Sequence, residues 1–101
     1  MSVRMAAVTE HALDRDAHLA AVADSAMGAE VSFVGRVRDH DPDAATAVVA
    51  LEYSAHPDAE ATLRRIASDA AGDRALVAVS HRIGRLAVGD PAVVIAVAAA
   101  H

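Results

Sequence analysis

The sequence contains no cysteine, no lysine and no tryptophan, and its aromatic side chains are one Phe and one Tyr. Without cysteine there is no disulfide, no thiolate metal ligand and no cysteine nucleophile, so any sulfur the chain handles is delivered by another molecule. Without lysine, all nine basic residues are Arg, and no side-chain amine is available for covalent or acid–base chemistry. Two explanations stand side by side: a composition biased toward Arg and Ala, or the absence of a lysine-bearing segment. The scarcity of aromatics leaves a core of Val, Leu, Ile and many Ala, in which each large apolar side chain counts for more of the buried area.

Long hydrophobic runs are also missing. The longest, Ala92 to Ala100, falls far short of the roughly 20 residues of a membrane-spanning helix and reads as a buried strand. The N-terminus lacks the apolar stretch and cleavage site of a secretory signal, so a cytoplasmic location is expected. The net charge is −5, with no basic block that could track a phosphate backbone, and neither nucleic acid nor membrane is expected as a partner. The six histidines show no HxH, HxxxH or HExxH spacing. Asp39, Asp41 and Asp43 lack the glycine and closing glutamate of a calcium loop, and Asp14 and Asp16 read as solvated helix-start residues. With no Gly-rich phosphate loop or GxSxG elbow either, no metal and no cofactor is expected.

What is present is enough apolar material for one domain: 101 residues, 54% of them hydrophobic. Val3 to Val8 reads as a strand, and Asp16 to Ala23 as a short helix with Leu19, Val22 and Ala23 on its apolar side. From Ala29 the pattern alternates, placing Val31, Phe33, Gly35 and Val37 on one face, with Phe33 as the core anchor. Glu30, Ser32, Arg36, Arg38 and His40 fall on the other. A polar turn, His40 to Asp43, leads to a second alternating strand through Ala47, Val49, Leu51 and Tyr53. Pro57 suits a helix start, Leu63, Ile66 and Ala70 share a buried side, and Gly72 ends that helix. Strands Ala75 to Ile83 and Ala92 to Ala100 follow, separated by Gly84 and the Gly89-Asp90-Pro91 turn. The expected fold is α+β, a five-stranded, mostly antiparallel sheet with two helices, whose apolar last strand needs cover on both faces.

Three residues are candidates for binding. Arg36 and Arg38, two apart on a strand with Cα atoms roughly 6.5–7 Å apart, can grip one phosphate or carboxylate, or can equally be solvated arginines of a polar edge. His101 follows the apolar strand at the parity of Val93, Ile95, Val97 and Ala99, where a histidine can bind an anion or move a proton near neutral pH, or can be a solvated chain end. His81 and Arg82 point to opposite faces, which favours a sheet-supporting role for His81.

Taken in order, Gly28 to His40 (GAEVSFVGRVRDH), Leu51-Glu52-Tyr53, His81-Arg82-Ile83-Gly84 and Val88-Gly89-Asp90 resemble the large, catalytic subunit of molybdopterin synthase over nearly the whole chain. The resemblance implies an α/β-hammerhead-like fold and a homodimer, with a small ubiquitin-like sulfur-carrier subunit docked on each large subunit to form a heterotetramer. It implies that the carrier's C-terminal thiocarboxylate sulfurates cyclic pyranopterin monophosphate to give molybdopterin, the dithiolene precursor of the molybdenum cofactor. By position it makes Arg38 and His101 the leading substrate-binding residues, with Arg36 third. The family continues past this point with an arginine, a helix and catalytic lysines. Residues 1–101 therefore read as a single domain without its C-terminal lysine-bearing segment, and no residue of the chain is assigned a catalytic role. Two other readings are a non-catalytic module that binds the small subunit or the pterin, and a small α+β domain that binds an unrelated anion.

Overall fold

In the computed structural model, residues 2–39 and 50–101 are described, with the backbone alone for residues 50–53. The order is β1 (Val3–Thr9), α1 (Arg15–Val22), β2 (Ala29–Arg36), β3 (Ala50–Tyr53), α2 (Ala59–Ala71), β4 (Ala75–Arg82), β5 (Gly84–Ala87) and β6 (Pro91–Ala99). The turn expected at His40 to Asp43, and the Ala47 and Val49 part of the second strand, lie outside the described residues.

The architecture is α+β, with one four-stranded sheet in the order β1-β4-β6-β2 and a separate two-stranded sheet, β3-β5. Only β1 and β4 pair in parallel; β4-β6, β6-β2 and β3-β5 are antiparallel. A single five-stranded sheet was the expectation, and Gly84 is the reason for the difference. Its φ of +92° turns the chain out of β4 at a conformation that glycine adopts freely, and the next residues pair with β3 instead.

Register explains the core. Val77, Val79 and His81 of β4 lie opposite Val97, Ile95 and Val93 of β6, and these in turn lie opposite Val31, Phe33 and Gly35 of β2, so all nine share one face. On that face α2 packs through Leu63, Ala67 and Ala71 onto Val3, Ala6, Val77 and Val79. The opposite face carries Leu76, Ala78, Ala96 and Ala98, covered by Val22, Leu19 and Ala21 of α1. Alanine at the contact positions of β6 lets the short α1 approach closely. Asp14 starts this helix as N-cap, its carboxylate accepting from the N–H groups of Asp16 and Ala17. Helix α2 begins at Ala59, two residues after Pro57, and ends at Gly72, whose N–H bonds the Ser68 carbonyl at 3.0 Å.

Phe33 is not a core anchor. It is 59% exposed and Val31 65%, because α2 packs over β1 and β4, with Ile95 and Val97 of β6 at the edge of that cluster, and does not cover β2. Ile66, expected to be buried, is 57% exposed on α2, and Ala70 is exposed as well. Where β2 ends, the register shifts: Gly35 lies opposite Val93 and Arg36 opposite Pro91, so Ala92 is an extra residue on β6. Beside this bulge Val37 is buried against Leu86 and Ala92.

Candidate anion-binding site

The bulge sets the geometry of the first candidate site. Arg36 ends β2, and both Arg36 and Arg38 are exposed on either side of buried Val37. The Val37 backbone is clamped to the turn before β6: its N–H donates to the Asp90 carbonyl at 3.0 Å, and its carbonyl accepts from the Gly89 N–H at 2.7 Å. The turn closes on itself through the Asp90 carboxylate, which accepts from the Ala87 N–H at 2.9 Å and pairs with Arg82 at 3.5 Å. Gly89 carries the positive φ of +92° that the turn requires.

The two arginines are not equivalent. Arg36 donates through Nη1 to the Gly89 carbonyl at 2.9 Å, so part of its guanidinium serves the turn. Arg38 is exposed and makes no hydrogen bond or ion pair with the other described residues. Arg82 stands at the same end of the sheet, held by Asp90 and by the Glu10 carbonyl at 3.1 Å. The Arg36–Gly89 and Arg82–Asp90 contacts escaped sequence reasoning because they join positions far apart or separated by a turn. The only signal in the sequence was the Gly89-Asp90 turn itself.

His101 lies elsewhere. Because β2 and β6 are antiparallel, Arg36 sits opposite Pro91 at the start of β6, whereas His101 follows its end at Ala99. Eight residues of strand separate those two levels, roughly 26 Å at 3.3 Å per residue. Exposed there, His101 lines an open pocket of about 460 Å³ with Met27, Asp73 and Arg74. A single chain therefore brings Arg36 and Arg38 together and leaves His101 at the opposite end of the sheet. His81 and Arg82 do point to opposite faces, with His81 on the α2 side opposite Val93. Among the described residues no group of His, Asp and Glu is arranged to hold a metal ion, and no helix is long and apolar enough to cross a membrane.

Comparison with known proteins places this geometry in a family. The MoaE protein family matches residues 8–101, a span that takes in the bulge, the clamped turn and β6. The chain belongs to the MoaE family. Among similar proteins, the molybdopterin synthase catalytic subunit 1 of Mycobacterium tuberculosis is 41% identical over 99 residues, covering 93% of this chain and 65% of the relative. The molybdopterin synthase catalytic subunit of Aspergillus niger is 37% identical over 97 residues, covering 93% and 53%. Among solved structures, a molybdopterin synthase from Staphylococcus aureus superposes with a TM-score of 0.83 at 29% identity, covering 93% of this chain and 69% of that one. A molybdopterin biosynthesis MoaE protein from Burkholderia ambifaria gives 0.80 at 31% identity, covering 99% and 65%. This MoaE-family chain thus spans about half to two thirds of the length of the relatives it matches, and its α+β, hammerhead-like architecture is theirs.

Proposed function

We propose that the chain acts as the large subunit of a molybdopterin synthase. In this reading a small ubiquitin-like carrier presents its C-terminal thiocarboxylate, and sulfur passes to cyclic pyranopterin monophosphate, giving molybdopterin. The observation that carries the reading is the MoaE match over residues 8–101, together with an exposed Arg38, unengaged by the other described residues, near Arg36. A guanidinium just past the end of β2, with no partner among the described residues, suits a phosphate-bearing substrate, since its donors form two parallel bonds to phosphate oxygens. The absence of cysteine agrees with sulfur brought by a partner.

Arg36, Arg38 and His101 are the proposed substrate-binding residues, and a homodimer reconciles their separation. Strand β2 has no neighbour on its outer edge among the described residues. At the other edge of the sheet, Glu60 already occupies β1, accepting from the Val8 N–H at 3.0 Å. Pairing β2 with its symmetry mate antiparallel sets Arg36 of one copy beside Ala29 of the other, and Ala29 lies opposite Ala99. Arg36 and the partner's Ala99 are then two strand spacings apart, about 10 Å, within reach of long side chains at Arg38 and His101.

The chain has no lysine, and this favours a second reading, a module that binds the pterin or the carrier without transferring sulfur. Incubating the chain with thiocarboxylated carrier and cyclic pyranopterin monophosphate separates the two. Molybdopterin formation establishes the synthase, whereas saturable pterin binding without product establishes the module. If the Arg38→Ala chain binds the pterin at low salt as tightly as the unaltered chain, Arg38 leaves the site.

A further inference from the structure

Gly28 stands immediately before β2, and neither backbone conformation nor core packing accounts for a glycine there. Its φ is not positive, unlike those of Gly72, Gly84 and Gly89, and it is exposed. What it meets is the chain leaving β6. The β2–β6 ladder ends at the pair Ala29 and Ala99, and one step further the Gly28 N–H donates to the Ala100 carbonyl at 3.1 Å. A Cβ at this position would stand 2.8 Å from that same oxygen, whereas ordinary van der Waals contact begins at 3.4 Å. The close approach requires glycine.

The Ala100 carbonyl and the His101 N–H belong to one planar peptide, so holding the oxygen holds the plane from which His101 departs. His101 lines its open pocket together with Ala26, Met27 and Arg74, which makes the segment before Gly28 a wall of the same space. That segment is itself anchored. The Asp24 carboxylate accepts from the Ala26 N–H at 2.8 Å and pairs with Arg4 of β1 at 3.5 Å. The Met27 N–H donates to the Asp24 carbonyl at 3.0 Å, and the Met27 side chain packs on the cluster that contains Val22, Leu76, Ala96 and Ala98. A turn tied down in this way presents the Gly28 N–H at one fixed point.

We propose that Gly28 is a positioning residue for His101: its N–H holds the Ala100–His101 peptide, and its lack of a Cβ lets the start of β2 come close enough to do so. The proposal rests on the substrate-binding role given to His101 above and extends it to a residue that touches no ligand. Such positioning matters because a group misplaced by about 1 Å can lose up to roughly a hundredfold of its effect.

The test compares Gly28→Ala with the unaltered 101-residue chain by NMR relaxation of the backbone amides. Gly28 is exposed at the end of the sheet, so the variant keeps the wild-type circular dichroism spectrum. The Ala100 and His101 amides are expected to fall from order parameters of about 0.8 to below about 0.6, with Val94 and Ala96 unchanged. Pterin binding, read by isothermal titration, should weaken by about tenfold or more in Gly28→Ala, and adding Gly28→Ala to His101→Ala should cost nothing further. Asp24→Ala frees the turn and loosens His101 in the same direction, whereas Asp24→Asn keeps the acceptor for the Ala26 N–H and leaves His101 ordered. A His101 amide that stays ordered in Gly28→Ala overturns the inference whatever the pterin binding, as does a His101 already mobile in the unaltered chain. Loosening spread evenly along β6 overturns it too, because the strand and not one peptide is then lost. Full pterin binding by His101→Ala overturns instead the role of His101, and the relaxation data still decide whether Gly28 holds it.

Discussion

The Nε2 atom of His18 on α1 lies 2.7 Å from the Oγ of Ser80 on β4, and these are the two buried polar residues between α1 and the sheet, 3% and 2% exposed. Nδ1 of His18 is 2.6 Å from the Asp14 carbonyl, which can only accept, so Nδ1 carries the hydrogen. In the neutral ring Nε2 then accepts from the Ser80 hydroxyl. The Met5 sulfur at 3.5 Å is a weaker alternative acceptor for the same hydrogen. Ser80→Ala strands a buried ring nitrogen and is expected to cost about 1–3 kcal/mol, a fall of roughly 4–8 °C in Tm per kcal/mol. The double variant His18→Leu with Ser80→Ala removes both polar partners and should recover most of that loss in thermal unfolding followed by circular dichroism. A double variant no more stable than Ser80→Ala would sink the pairing argument.

Gly35 and Val93 form a second constrained pair. A Cβ at Gly35 would stand 2.6 Å from Cγ1 of Val93 and 3.5 Å from the Phe33 ring. Gly35→Ala is therefore expected to destabilise by about 1–3 kcal/mol through overpacking. Adding Val93→Ala opens the space and should restore part of the loss. Chemical denaturation of the two single variants and the double variant measures the coupling, and strict additivity would show that the clash is relieved elsewhere.

These pairs show where sequence reasoning reaches its limit. The strands around Phe33 and along Ala92 to Ala100 were legible because alternation and apolar runs are local patterns, and Gly72 was legible as a helix stop for the same reason. The exposure of Phe33 was not, since it depends on which strands α2 happens to cover. The bulge at Ala92 was not legible either, because one extra residue in β6 leaves no mark on a local pattern. For the site, the spacing of Arg36 and Arg38 placed both at one end of the sheet. It could not reveal that Arg36 is partly engaged by Gly89, nor that antiparallel pairing carries His101 to the far end.

The division of labour between Arg36 and Arg38 gives a third prediction. Arg36→Ala removes the donor to the Gly89 carbonyl and should cost about 1 kcal/mol of stability. Arg38→Ala removes no contact with the described residues and should stay within about 0.5 kcal/mol of wild type. Anion binding is expected to show the reverse order, with Arg38→Ala the more damaging at low ionic strength, where the charge is least screened. Equal stability loss in the two variants would mean that Arg38 also supports the fold.

The homodimer proposed for the site makes a quantitative prediction. If Arg38 of one copy works with His101 of the other, Arg38→Ala and His101→Ala chains each lose pterin binding alone. Refolded together in equal amounts, they form mixed dimers in half of the assemblies, and every mixed dimer holds one intact site and one doubly altered site. The mixture should therefore regain roughly a quarter of the wild-type number of sites, counted by isothermal titration with the pyranopterin. Were the site contained in one chain, neither variant could supply what the other lacks and no intact site would return. Full binding by the His101→Ala chain alone would instead remove His101 from the site and leave Arg38 and Arg36 as its anion-holding end.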